Sequence, residues 1–397
     1  MRNFVVVGAG FGDEGKGMTT LKLQQCFTPT IMFRHNGGAQ AGHTVKHNGS
    51  RVVNQSLNSA TVNGQHFTAY TKDVVVNINA ITNEAKQHGN SPWVGMTGDN
   101  EWTTYLDIAF NQIVSKSQGS NGTCGFGINA TLRRAEHISF TFKNAVYGMD
   151  ALKKIYEIRD FYVAKFIELG IPLDLYKDYI SADAMRWHVR KMLAASNFMY
   201  DNGCPITEAY DWADEIKEED RIIFEGAQGL LLDQTYGEFP FVTPSNTGLV
   251  NAATFMRDVD NYSGITPVYC TRTFLTRHGD GPFIEEQPFV DGVSINDETN
   301  ITNQFQGRFK TGILDVDKMK AVIKADLKAA KAIYSSVNTP IMSVSHLDIF
   351  DQTKVKIKVG GEVIEVGHDE FINAMPYPVK IMGYGVDSQQ WVSIIGD

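Results

Sequence analysis

No run of about 18 apolar residues occurs in the 397-residue chain, so no segment predicts a membrane-spanning helix. Positive charge is in short supply: 36 Lys and Arg face 45 Asp and Glu, for a net charge of −9. Without a cationic surplus to displace counterions, non-specific nucleic-acid binding is not expected. A local basic pocket for small phosphates is compatible with that balance. Only four cysteines are present (Cys26, Cys124, Cys204 and Cys270), with neither C-x-x-C nor zinc spacing. They predict a reducing compartment and no disulfide scaffold. Internal repeats, low-complexity tracts and long Pro/Gly/Ser linkers are missing too. Met1-Arg2-Asn3 leads straight into a strand-like segment, with no signal-peptide apolar region. A cytoplasmic protein is expected.

What is present is patterned. Short apolar runs alternate with longer amphipathic stretches, which favours layered α/β architecture. Residues 4–7, 221–224, 266–269 and 341–344 read as strands. Residues 150–169, 182–200, 315–334 and 369–374 read as helices. Two β-rich runs, 355–359 and 362–366, flank Gly360-Gly361 as a hairpin. Residues 136–220 read as helical scaffold, with Trp187, Met192 and Phe198 expected in the core and His188 and Arg190 structural or exposed. The expectation is α/β, a single large domain over residues 1–397. It has a mostly parallel central sheet, a P-loop-like nucleotide site and helical insertions.

Val5-Val6-Val7 runs into Gly8-Ala9-Gly10-Phe11-Gly12-Asp13-Glu14-Gly15-Lys16-Gly17, and a helix-compatible segment follows. Strand, glycine turn and helix in that order make a phosphate cradle, because glycines let backbone N–H groups approach an anion and the helix N-terminus adds free donors. The dinucleotide fingerprint G-x-G-x-x-G does not fit. Counting from Gly8 puts Asp13 at the third glycine, where a carboxylate repels a pyrophosphate. The P-loop pattern fits from Gly10 to Lys16 and fails at Gly17, where a Ser or Thr would hold magnesium. The bland alternative is a structural turn, for which Asp13, Glu14 and Lys16 in one glycine loop are costly. Asp13 is therefore available as a magnesium ligand, as a base, or as both.

Four further loops have similar chemistry. Arg34-His35-Asn36-Gly37-Gly38-Ala39-Gln40-Ala41-Gly42-His43-Thr44 suits closure over a ligand, with His43 able to donate to a phosphoryl oxygen. Gly119-Ser120-Asn121-Gly122-Thr123-Cys124-Gly125 suits a phosphate monoester, and Arg133-Arg134 follows in a helix-like stretch. Phe224-Glu225-Gly226-Ala227-Gln228-Gly229 puts Gln228 at a strand end, where α/β enzymes collect ligand contacts. Gly307-Arg308-Phe309-Lys310-Thr311-Gly312 suits a carboxylate, bidentate to Arg308 with a point contact from Lys310.

Taken together, these stretches resemble the adenylosuccinate synthetase family, which joins aspartate to IMP using GTP. Gly12-Asp13-Glu14-Gly15-Lys16-Gly17 resembles its opening signature, and the His43 segment its G-G-x-N-A-G-H-T motif, with Gln40 in place of the asparagine that contacts the nucleotide substrate. The Thr123 loop resembles G-T-T-G-x-G-I-G-P-A, with Cys124 for the second threonine, and Asn58-Ser59-Ala60 stands in the place of Pro-Ser-Gly. The Gln228 segment continues through Phe239 to Thr247 and includes Thr243, which the resemblance places on the substrate phosphate. Thr276-Arg277-His278-Gly279 resembles T-R-V-G, with His278 for the valine. Ser345-His346-Leu347-Asp348 resembles T-K-L-D, whose aspartate reads guanine.

The resemblance implies roles for particular residues. Asp13, His43, Lys16 and Gln228 are the expected catalytic residues. Gly12, Glu14, Gly15, Lys16, Gly17, Gly42, His43, Thr44, His346, Asp348, Gly383 and Gly385 would hold the nucleoside triphosphate. Asp13, Gln40, Thr123, Cys124, Arg133, Arg134, Gln228, Thr243 and His278 would hold the purine nucleotide, one arginine reaching it across a homodimer interface. Gln306, Arg308, Lys310 and Thr311 would hold L-aspartate, and Asp13 and Gly42 would ligate Mg²⁺. GTP is the implied phosphoryl donor, with ATP and dATP left open. A phage-associated branch of the family acts on dGMP and makes the precursor of 2-aminoadenine; a member of it would work in the host cytoplasm. Asp13 favours IMP, whereas Gln40, Cys124 and Lys310 are the kind of change a shifted substrate brings. A GTP-binding switch or an inactive paralogue is the alternative from another class.

Overall fold

The computed structural model describes residues 3–27, 30–88, 92–119, 125–209, 211–217, 220–259, 263–279, 281, 283 and 309–395. In chain order the strands are β1 (Asn3–Gly8), β2 (Thr30–Arg34), β3 (His43–His47), β4 (Ser50–Asn54), β5 (Phe67–Tyr70) and β6 (Trp93–Thr97). Then come β7 (Ile206–Ala209), β8 (Arg221–Glu225), β9 (Ile265–Arg272), β10 (Leu275–His278), β11 (Phe309–Gly312) and β12 (Leu314–Asp315). The last five are β13 (Ile341–Ser345), β14 (Val355–Val359), β15 (Glu362–Val366), β16 (Val379–Gly383) and β17 (Trp391–Ser393).

Ten of these form one sheet in the order β17-β16-β13-β9-β1-β8-β2-β5-β6-β7. Every pairing in it is parallel except β16 with the edge strand β17. The first strand lies at the middle, between β8 and β9, which is why Val5, Val6 and Val7 are all fully buried. A parallel strand covered on both faces reads as an unbroken apolar run, not as an alternation. The loops after β1, β2, β8, β9 and β13 leave from the same edge of the sheet. Ligands of open parallel sheets bind at that edge, where neighbouring connections diverge.

The helices predicted at 150–169, 182–200, 315–334 and 369–374 are Ala151–Glu168, Ala182–Asp201, Val316–Ile333 and His368–Ala374. The predicted hairpin is β14–β15, in register from Val355 opposite Val366 to Val359 opposite Glu362. One packing expectation fails. Trp187 is half exposed, its ring edge-on to Tyr105. The buried stripe of that helix runs through Met185, His188, Met192, Ser196 and Met199, and position 187 falls beside it. His188 is structural: its Nε2 accepts the Tyr105 N–H at 3.0 Å.

Behind the sheet, Asp326 of the helix Val316–Ile333 is fully buried. It accepts the Leu249 N–H at 3.0 Å and the Tyr269 hydroxyl at 2.8 Å. Burial pushes its carboxyl up to about 7 despite those hydrogen bonds. The folded protein thus holds the proton more tightly than the unfolded chain does. This group's contribution to stability is greatest below the ordinary carboxylate pKa and is lost as pH rises through about 7, an effect of roughly 4 kcal/mol at most. Asp326→Asn keeps an acceptor for Leu249 and removes the titration. Its thermal midpoint is expected to fall less than the parent's between pH 5 and 8; parallel curves would refute the assignment.

Candidate functional site

The glycine loop closes on its own carboxylate. Glu14 folds back so that Oε1 accepts the Gly10 and Gly12 N–H groups at 3.0 and 2.8 Å. Its Oε2 meets the Lys16 ammonium at 2.9 Å, and both side chains are buried. These backbone donors and this lysine form an anion cradle, which in this structure the Glu14 carboxylate itself occupies, leaving the other donors of the Lys16 ammonium for a further anion. Gly17 has a steric reason: a Cβ there would lie 2.8 Å from Ser59 Oγ and 3.1 Å from His43 Cβ. The helix packs too closely for the hydroxyl residue of a P-loop.

Asp13, at the mouth of the loop, has φ of 62°, a left-handed conformation uncommon for residues with a Cβ. Two residues of the β9–β10 segment hold it there. Arg272 Nε donates to the Asp13 carbonyl, and His278 Nε2 lies 3.3 Å from Asp13 Oδ2. Burial alone would raise the Asp13 carboxyl; the His278 hydrogen bond, Arg272 and Lys16 together bring it down to about 2. Asp13 is therefore ionised at neutral pH. Gln228 and His346 have the same left-handed φ of 62°. Strained backbone of this kind concentrates at functional sites, and three of the five non-glycine examples among the described residues are predicted site residues.

His43 opens β3 and is buried. Its Nδ1 is hydrogen-bonded to Glu225 Oε1, and Ser59 donates its hydroxyl to the same oxygen and its N–H to Oε2 at 2.9 Å. Burial lowers the His43 imidazole to about 4 even against Glu225. Burial would raise Glu225, but His43, Arg34 and Ser59 keep it below the usual carboxylate range. The resting pair is a neutral imidazole donating Nδ1–H to a carboxylate. The Gln228 turn is fixed by Asn36, which donates to Ala227 O at 3.0 Å and accepts the Ala227 N–H at 2.7 Å. Gln228 packs against the glycine loop: its Cα lies 3.8 Å from where a Cβ on Gly12 would be. Gln40 folds its amide over Gly37 and Gly38. Gln40 Oε1, His43 Nε2 and Gln228 Oε1 are buried without a hydrogen-bond partner. Buried polar groups are normally paired; these three sit in the connections after β2 and β8, at the carboxyl edge of the sheet, where a ligand can complete the bonding.

On the other side of β1, His346 follows β13 and Asp348 is exposed in the next turn. Gly383 ends β16, and Gly385 follows. Thr44 lies within β3, and Gly42 is exposed just before it. Lys310 and Thr311 are on β11, paired with Arg277 and Thr276 of β10, so they approach from the His278 side. Thr243 is buried and donates its N–H to Leu232 O. Thr123, Cys124, Gln306 and Arg308 lie outside the described residues.

One predicted contact is corrected. Arg134 is fully buried and engaged within its own chain, by Asp107 at 3.1 and 3.2 Å, Glu101 at 3.0 Å, and the Trp102 and Ile138 carbonyls at 2.8 Å. Tyr162 donates to the same Asp107 at 2.6 Å. A guanidinium so fully used anchors its helix and does not reach a phosphate. Its neighbour Arg133 is exposed, paired with Glu136 on the surface. Sequence reasoning assigned no role to Glu225, Ser59, Arg272 or Asn36. The signal for Glu225 was available: a carboxylate closing the buried strand Arg221–Glu225 beside a glycine needs a charged or hydrogen-bonded partner.

No group of three or more His, Cys, Asp or Glu among the described residues makes a cage for a metal. Magnesium in phosphoryl-transfer sites takes one or two carboxylates plus phosphate oxygens. The ionised Asp13 beside the cradle, its carboxyl one-third exposed, fits that donor set.

A phosphate cradle facing an ionised carboxylate and orphaned amides, at the carboxyl ends of parallel strands, defines a nucleotide-using α/β enzyme. The adenylosuccinate synthetase family model matches residues 5–382, and the chain belongs to that family of C–N ligases of purine biosynthesis. It is 28% identical to the adenylosuccinate synthetase of Halothermothrix orenii, over 82% of this chain and 75% of that protein. It is 25% identical to that of Mycoplasma mycoides, over 92% and 82%. In fold it matches fully ligated adenylosuccinate synthetase from Plasmodium falciparum with a TM-score of 0.72, at 17% identity and full coverage of both chains. The cyanophage S-2L succinoaminodeoxyadenylate synthetase, bound to dGMP and dATP, matches with a TM-score of 0.61 at 13% identity, over 100% of this chain and 96% of that one.

Proposed function

We propose that the protein joins L-aspartate to C6 of IMP at the expense of GTP, with Mg²⁺, giving adenylosuccinate. The observation that carries this is that polar atoms of Gln40 and His43 after β2 and of Gln228 after β8 are buried without a partner, on loops that leave the same edge of the sheet as the ionised Asp13. Asp13 accepts the N1 proton of the 6-oxopurine. O6 then attacks the γ-phosphorus, GDP leaves, and C6 carries a phosphate leaving group. Lys16 and the loop N–H groups not taken by Glu14 neutralise the charge that develops on the transferred group, and His43, protonated as the triphosphate binds, donates to it from Nε2. Gln228 meets the base through its amide without adding charge. The aspartate amine, its carboxylates held by Arg308 and Lys310, attacks C6 and expels phosphate. Bound Mg²⁺, held by Asp13 and the Gly42 carbonyl, would supply Lewis-acid stabilisation of the phosphoryl oxygens. Asp348 would choose guanine, whose N1–H and N2–H it accepts together. The family's homodimer would bring Arg133 to the partner's nucleotide.

IMP is favoured over dGMP by the contact between His278 and Asp13. A 2-amino group presents a second donor beside N1–H, whereas one Asp13 oxygen, Oδ2, is already taken by His278 and the other suffices for the single N1–H of IMP. The test is phosphate release with Mg²⁺, GTP and aspartate, offering IMP or dGMP. Turnover with IMP supports the proposal. Turnover with dGMP alone moves the protein to 2-aminoadenine synthesis, and silence with both overturns the ligase reading.

A further inference from the structure

We propose that Trp391 is a positioning residue that sets the distance between the phosphate loop and the base-reading loop of the nucleoside triphosphate site. This rests on the reading above, in which His346, Asp348, Gly383 and Gly385 hold the base. Trp391 is buried at the start of the edge strand β17. Three contacts define its place. The tip of its ring, Cη2, lies 2.9 Å from where a Cβ on Gly15 would be, and Gly15 caps the phosphate-loop helix with φ of 82°. The flat of the indole covers Gly383, where a Cβ would come within 2.5 Å of Cε2 and 2.7 Å of Cζ2. Its Nε1 donates to Gly385 O at 2.9 Å.

One rigid side chain therefore touches the end of the phosphate cradle and both glycines of the base loop. Glycine is required on each side because the indole fills the space a side chain would need. The same edge grips the hairpin that carries His43. His47 Nδ1 lies 2.7 Å from Ser388 Oγ, and Gln389 donates to Asn48 at 3.2 Å. The indole packs in one cluster with Met18 and Leu21 of the phosphate-loop helix and with Val45 of β3. A nucleoside triphosphate spans cradle and base loop together, so a change in their spacing weakens it. An inorganic polyphosphate uses the cradle alone and does not sense that spacing.

Two ligands separate this role from a structural one: GTP and inorganic tripolyphosphate, each titrated onto the full-length protein with Mg²⁺. In Trp391→Phe, which keeps an aromatic plane and loses the N–H and the ring tip, GTP affinity is expected to fall about tenfold. Tripolyphosphate affinity is expected to stay within about twofold and kcat within about threefold. Trp391→Leu, which loses the N–H and the whole aromatic plane and leaves the residues of the base loop intact, is expected to reproduce the split with a GTP loss at least as large. Parallel losses for both ligands, or no loss for GTP, overturn the proposal. A parent protein that binds tripolyphosphate and IMP but not GTP removes the base site on which it rests. A parent that binds GTP while Trp391→Phe shows no split leaves the ligase reading standing and the inference refuted.

Discussion

Asp13→Asn is expected to slow turnover by about three to four powers of ten while leaving GTP affinity within about threefold of the parent. A general base contributes roughly 10²–10⁴ in rate, and here the same carboxylate also supplies charge beside the transferred phosphoryl group. Asparagine is the clean replacement because it tolerates the left-handed backbone that residue 13 adopts, φ of 62°, better than alanine does. It keeps the carbonyl that Arg272 grips and an oxygen for His278, and removes only the charge and the basicity. The parent carboxyl is held at about 2 by His278, Arg272 and Lys16 against the effect of burial. It therefore stays ionised wherever the protein is assayed, and an acid limb above about pH 4 must come from another group. Steady-state phosphate release and equilibrium GTP titration check the split. A parent-like kcat in Asp13→Asn would remove Asp13 from the chemistry.

Much of this site was readable because its chemistry comes in contiguous loops. Val5-Val6-Val7 before the glycines is the mark of a doubly covered strand, and β1 is the middle of the sheet. The alternation of 355–366 about Gly360-Gly361 is local, so the hairpin could be placed residue by residue. What was not readable depends on residues far apart in sequence. Arg134 looks like any helix-face arginine until Asp107, Glu101 and Tyr162 close around it. Its burial is decided by the packing of a helix against partners 27 to 33 positions earlier. Trp187 was assigned to the core with Met192 and Phe198 on helical spacing, but the buried stripe of the helix runs through Met185, His188 and Met192 and leaves position 187 beside it. Arg272 and Asp13 are 259 positions apart and meet only because β9 pairs with β1. Nothing local to either predicts that contact.

Glu225→Gln is expected to lower kcat by about 10²–10³ with little change in KM for IMP or aspartate. The reasoning turns on which protons His43 holds. In the resting site burial keeps the imidazole neutral, near 4, with Nδ1–H given to Glu225. Nε2 is then a lone pair aimed away from Glu225 and without a partner. A triphosphate brings negative charge to that nitrogen. With Glu225 on one side and phosphate on the other, the imidazolium becomes the favoured form, and His43 can donate to the phosphoryl oxygen while remaining bonded to Glu225. Glutamine keeps the shape and one acceptor for Ser59 but withdraws the charge that supports the cation. It can also donate to Nδ1, which shifts the imidazole to the neutral Nε2–H tautomer. In a nucleophilic triad, the corresponding loss of an orienting carboxylate reduces kcat by about 10⁴; His43 is not itself the base here, and a smaller loss follows. Proton uptake on GTP binding, measured in buffers of different ionisation enthalpy, is expected in the parent near pH 7 and absent in Glu225→Gln. A Glu225→Gln enzyme with parent-like kcat would mean that a neutral His43 suffices and that the Ser59–Glu225–His43 chain only holds the loop in place.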